Sequence, residues 1–175
     1  EKLLLEDYSH YKDEIVSLSS RGFRVLIFGI YEGVLDGKPL SRPVKPLAIV
    51  TMWNAIRPEA RATFQYFKDQ GVDIKVISGD NPVTVSYVAR SAGIAGADSY
   101  VDATELVTEA DFARAVKQYT VFGRVSPEQK RKLVNAIKAD GNVVAMTGDG
   151  VNDVLALKEA DCSIAFGSGS DAACN

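Results

Sequence analysis

The stretch Thr147-Gly148-Asp149-Gly150-Val151-Asn152-Asp153 governs how the rest of the chain is read. It follows an apolar run at 143–146 and opens a helical pattern over 151–160. Two carboxylates four residues apart therefore bracket a turn from strand to helix. Hard oxygens so placed suit Mg2+, which takes one or two protein carboxylates and completes its shell with phosphate and water. Read singly, Asp149 is also a turn residue, and Asp153 is also a first-turn charge favoured by the helix dipole. The whole run is too structured for a generic turn, and its distance from two upstream motifs adds weight to the metal reading.

Working outward, Ser126-Pro127-Glu128-Gln129 signals a capped helix start. Lys130 follows in its first turn and offers a cation for the charge of a transferring phosphoryl group. Further upstream, a strand at 72–77 runs into Ser78-Gly79-Asp80-Asn81, with Pro82 opening the next helix. A hydroxyl, a glycine that permits close backbone approach and the free N–H groups of a helix start can together hold a phosphate. Alone, Ser78 to Asn81 also reads as an ordinary turn into an N-cap, and Lys130 as a solvated helix residue. On parallel strands the clusters at 78–81 and 147–153 converge on one sheet edge, where ligands of such sheets bind. Serine, lysine and paired aspartates there suggest Mg2+-dependent phosphoryl transfer.

The remaining elements agree with a parallel sheet. Tyr8, Tyr11, Ile15 and Leu18 fall at helical spacing, and 24–31 reads as a strand rich in Val, Ile and Phe. Residues 33–44, with Asp36-Gly37, Pro39 and Pro43, read as turn and loop. A strand at 46–53 follows, then helices at 58–70 and 82–93 and a third from the capping signal at Thr108. A short strand at 119–122, a helix to about 139 and strands at 142–147 and 162–165 complete the alternation, which predicts an α/β fold built from βαβ units.

Composition narrows the function classes. Of 175 residues, 46% are hydrophobic and 25% charged, enough apolar material for a real core. The net charge of −3 lacks the basic footprint of a nucleic-acid binder, so no nucleic-acid partner is expected. Two cysteines, Cys162 and Cys174, make no disulfide framework, and a reducing cytosol is the default. The longest apolar runs fall far short of the roughly 20 residues a membrane helix needs. The start carries no apolar leader and no initiator methionine, which suggests a soluble piece of something longer.

These residues resemble a known family. The run at 147–153 is similar to the hinge signature of P-type cation-transporting ATPases, within the haloacid dehalogenase-like superfamily. Ser78-Gly79-Asp80 resembles its Thr-Gly-Asp motif, with serine keeping the hydroxyl. Phe122-Gly123-Arg124-Val125-Ser126-Pro127 with Lys130 resembles the segment bearing its essential lysine. Gly22-Phe23-Arg24-Val25-Leu26 is similar to the end of its nucleotide-binding domain.

The resemblance implies a haloacid dehalogenase-like Rossmannoid three-layer parallel sheet. Residues 1–45 would be the end of the nucleotide-binding domain and the hinge, and 46–175 the phosphorylation domain. It implies Mg2+ as cofactor, bound by Asp149, and ATP as substrate. Asn152 and Asp153 would organise the phosphorylation site. Ser78 and Gly79 would hold phosphoryl oxygens, with Asp80 in the same motif, and Lys130 would neutralise them. Arg24 and Arg124 would approach ATP from the two domains, and Arg57 would sit near their joint. The parent would be a membrane pump of an inorganic cation, this portion facing the cytoplasm and joined to the rest of its polypeptide. One local departure is Asn54-Ala55-Ile56-Arg57, where the family has Asp-Pro-x-Arg; this puts the stiffness of the joint in doubt.

A larger departure is an absence. The family's nucleophile lies in Asp-Lys-Thr-Gly-Thr on the central strand, and no such stretch occurs here. The run from Val25 to Asp36 has the rhythm of a nucleophile strand, but Gly29 and Tyr31 stand where its aspartates would be. The sheet is therefore expected to be incomplete at its centre. The strand at 24–31 or a strand from a second copy would fill the gap, with strand exchange or a dimer as the outcome. On this reading the isolated chain is inactive. The alternatives are a stand-alone phosphatase of the same superfamily and a non-catalytic module that holds phosphate or Mg2+.

Overall fold

The computed structural model describes residues 8–166 and 170, apart from 35, 38, 39 and 54. Residues 1–7, Pro39, Asn54 and Cys174 of the sequence reading lie outside the described residues. The chain divides into two compact units, Glu1–Ile56 and Arg57–Asn175.

The first unit holds α1 (Tyr8–Ser20), β1 (Arg24–Ile30) and β2 (Lys45–Met52). Gly22, at φ 82°, ends α1. The Gly22 N–H donates to Ser19 O and the Phe23 N–H to Leu18 O, which closes the helix by a Schellman pattern. β1 and β2 pair antiparallel, with Arg24 opposite Met52 and Ile30 opposite Lys45. The sequence reading put residue 46 onward in the later domain; here that stretch is laddered to β1, inside the first unit.

In the second unit helices and strands alternate: α2 (Ala60–Asp69), β3 (Val76–Ile77), α3 (Pro82–Ser91), β4 (Tyr100–Asp102), α4 (Glu109–Gln118), β5 (Val121–Gly123), α5 (Pro127–Ala139), β6 (Ala145–Gly148), α6 (Val154–Glu159) and β7 (Cys162–Ala165). β3, β5 and β4 form a parallel sheet in that order, and β6 and β7 a parallel pair. The central strand β5 buries both faces. Phe122 packs with Phe112, Ala115 and Leu133 of α4 and α5, and Val121 packs with Val85 and Ala89 of α3. Helices thus cover both sides of this half-sheet, the layered arrangement that parallel strands require.

The two half-sheets are not joined by strand pairing among the described residues. They are joined through α5, which packs on both α4 and α6. Lys138 of α5 donates to Glu159 O at 2.8 Å and pairs with Asp161 at 2.9 Å, and the other Asp161 oxygen accepts the Val144 N–H. β1 pairs with β2 in a separate sheet, so it does not bridge β3 and β6. The anticipated parallel pairing is what the second unit has, in two sheets that no strand joins among the described residues.

Several elements differ in extent from their sequence patterns. The strand expected over 72–77 shrinks to Val76–Ile77 because the Val72 N–H is spent on Phe67 O, closing α2 at Gly71 (φ 73°). The strand expected from 142 begins at Ala145. β4 went unforeseen, since three residues are too few to show an alternating pattern.

Candidate functional site

The loops that follow β3 and β5 are laced into one block. Ser78 N–H donates to Phe122 O at 3.0 Å, Val125 N–H to Ser78 O at 3.0 Å and Arg124 N–H to Asp80 O at 2.8 Å. The block closes this tightly because residue 123 is glycine: a Cβ there would lie 2.4 Å from Pro82 Cα. Pro82 occupies the first turn of α3, and Asn81 caps that helix by accepting the Val83 N–H at 2.9 Å. The Ser78 hydroxyl accepts the Asp80 N–H at 3.2 Å, which curls the loop. Gly79 is exposed, and an added Cβ would meet only Val125 O, at 3.8 Å. Backbone can therefore be approached closely at this point, beside the start of a helix.

After Val125 the chain enters α5 through a capping box, in which Ser126 Oγ and Gln129 Oε1 each accept the other's backbone N–H. This places Lys130 in the first turn. Its ammonium donates to Asp153 Oδ1 at 2.6 Å, with side-chain exposures of 13% and 10%. Asp153 Oδ2 accepts the backbone N–H groups of Asp149 at 3.3 Å and Gly150 at 3.2 Å. Gly148 permits this, since a Cβ there would fall 2.5 Å from Asp153 Cβ. Burial opposes the charge of Asp153, but the Lys130 ammonium and the amides of Gly150 and Asp149 outweigh it, so the carboxyl titrates below its ordinary range.

Asp153 is thus the post around which the loop after β6 is wound, and Lys130 ties that loop to the half-sheet bearing Ser78. Asp149 and Asn152 are exposed. Among the described residues no three His, Cys, Asp or Glu side chains converge on a metal position. With Asp153 committed to Lys130, Asp149 offers the one exposed carboxylate of this loop. That donor set fits an ion that takes one or two carboxylates and completes its shell with phosphate and water; it does not fit an all-protein cage.

The arginines are placed differently. Arg124 is exposed at the end of β5, its guanidinium 2.9 Å from Asp102 Oδ2. Arg57 is exposed where the second unit begins, and Arg24 is exposed on β1 in the first unit. Asp102 is the polar residue that sequence reasoning missed; it closes β4, the strand too short to be noticed. Among the described residues no helix is long and apolar enough to cross a membrane.

A family model described as haloacid dehalogenase-like hydrolase matches residues 8–161. The calcium-transporting ATPase CtpE of Mycolicibacterium smegmatis is 43% identical over 171 residues, 97% of this chain and 21% of the relative. The probable cation-transporting ATPase exp7 of Streptococcus pneumoniae is 45% identical over 154 residues, 87% of this chain and 20% of the relative. The chain thus spans about a fifth of the length of these relatives. Among solved structures, the catalytic domain of the CPx-ATPase CopB-B matches with a TM-score of 0.55 and 27% identity, over 77% of this chain and 43% of that one.

Proposed function

Because the chain belongs to the haloacid dehalogenase-like hydrolases, we propose that it is part of the cytosolic catalytic core of an ATP-driven cation pump and carries one part of a phosphoryl-transfer site. The parent sits in a membrane with this portion facing the cytoplasm. It transfers the γ-phosphoryl of ATP to an aspartate and then hydrolyses the aspartyl phosphate, splitting one hard step into two.

One observation carries the reading. Two parallel half-sheets end in polar loops, no strand joins them among the described residues, and the Lys130–Asp153 pair links the elements that follow β5 and β6. A strand from the rest of the polypeptide, bearing the acceptor aspartate, completes the sheet between β3 and β6. The Ser78-Gly79 loop and the start of α3 receive phosphoryl oxygens, and Lys130 stands ready to offset their charge. Asp149 holds Mg2+, which neutralises phosphate charge when bound. Asn152 and Asp153 shape the loop, while Arg24, Arg57, Asp80 and Arg124 serve nucleotide binding and the joint between domains. Identity to cation-transporting ATPases over nearly the whole chain supports the assignment of the parent.

The test compares the isolated chain with the full polypeptide under γ-labelled ATP and Mg2+. The isolated chain forms no acid-stable, hydroxylamine-sensitive phosphoprotein, and the full polypeptide does. Robust p-nitrophenyl phosphate turnover by the isolated chain, abolished by Asp36→Asn, would overturn the reading.

A further inference from the structure

Arg124 is the one described non-glycine residue with positive φ, at 53°. This backbone is uncommon for a side chain of its size and persists only where the surroundings over-determine it. Here they do. The Arg124 N–H is bonded to Asp80 O, Val125 N–H to Ser78 O, and Gly123 is wedged against Pro82.

The guanidinium is held at one edge. Arg124 Nη1 donates to Asp102 Oδ2 at 2.9 Å. Asp102 is itself held, since its Oδ1 accepts both the Thr104 N–H at 3.0 Å and the Thr104 hydroxyl at 2.7 Å. The following turn is tied to α5, because Gln129 Nε2 donates to Ala103 O at 2.7 Å. The arginine side chain remains 44% exposed against 19% for the aspartate, so the guanidinium is anchored at one edge and open elsewhere. An arginine has five N–H donors, and this pairing uses one of them.

We propose that Asp102 is a positioning residue for nucleotide use: it holds ready for the phosphates of ATP the guanidinium of Arg124, a residue whose backbone is bonded to the Ser78–Asp80 loop. This inference rests on the reading that Arg124 approaches ATP. A loose arginine loses considerable rotamer freedom on binding, and one already held by Asp102 has largely lost it beforehand. The effect of Asp102 therefore falls on the ATP concentration required rather than on the maximal extent of reaction.

The test uses the full polypeptide with Asp102→Asn, Asp102→Ala, Arg124→Ala and the double variant. Asp102→Asn retains an oxygen that can accept from Thr104, so the turn survives while the charge is lost. Phosphoprotein is measured against ATP concentration and, separately, with inorganic phosphate as donor. Asp102→Ala raises the ATP concentration for half-maximal phosphorylation about tenfold, the size of one charge-assisted hydrogen bond. Asp102→Asn gives a smaller rise, the maximal level holds, and labelling by inorganic phosphate changes less than about twofold. The double variant is no worse than Arg124→Ala, since the two residues act as a unit. Equal losses with both phosphate donors, or additive effects in the double variant, would overturn the proposal. Absence of phosphoprotein in the unaltered polypeptide would instead remove the pump reading, and this assignment with it.

Discussion

Replacing Lys130 with methionine keeps most of the stem volume and removes the ammonium. Asp153 is then left with its two backbone donors on Oδ2 and loses the 2.6 Å partner on Oδ1. Breaking a fully buried pair costs about 3–5 kcal/mol. Here one carboxylate oxygen stays satisfied and both side chains retain slight exposure, so the cost falls nearer one charged hydrogen bond, about 1.5–3 kcal/mol. For a unit of this size that is a fall in Tm of roughly 5–12 °C. The sole tryptophan, Trp53, lies in the first unit. Far-UV circular dichroism, or amide exchange in α5 and α6, is the suitable readout.

The pH dependence carries the sign. In the unaltered chain the folded carboxyl of Asp153 titrates below its unfolded value. Its stabilisation is therefore complete above the unfolded pKa, about 3.9, and is lost as pH falls through the folded one. In Lys130→Met, burial is no longer offset by the ammonium, and the folded pKa rises. The stability gap between the two proteins is consequently widest near neutrality and narrows below about pH 4. A Tm within about 2 °C of the unaltered chain at pH 7, or a gap independent of pH, would refute the reasoning.

Two other substitutions separate structure from chemistry. Gly123→Ala drives a Cβ to 2.4 Å from Pro82 Cα and 2.5 Å from Pro82 N, backbone atoms that cannot rotate aside, so thermal melts should show a loss of about 1–3 kcal/mol or more. Asp149→Asn alters an exposed side chain and should leave the stability of the isolated chain within about 0.5 kcal/mol, while lowering the rate of Mg2+-dependent phosphorylation of the full polypeptide by about 10²–10³.

Much of this was legible in the residues because the signals are local. Ser126 to Gln129 and Thr108 to Asp111 announce capped helix starts through spacing alone, and both form capping boxes. Alternating strands and helices require parallel pairing, and β3, β5 and β4 pair in parallel, as do β6 and β7. What escaped depends on contacts distant in sequence. The place of the stretch after residue 45 was decided by its ladder with β1. Asp102 meets Arg124 across 22 residues, from a strand too short to show a period. The pairing of Asp153 with Lys130, 23 residues away, is likewise a contact that spacing alone does not announce.

The most direct measurement is the position of the phosphate in the full polypeptide after brief exposure to γ-labelled ATP and Mg2+, mapped by proteolysis in acid. The label should fall on an aspartate outside these 175 residues, in a segment predicted to form a strand, and should be released by hydroxylamine. Label on Asp36, Asp149, Asp153 or any other residue of this chain would contradict the account.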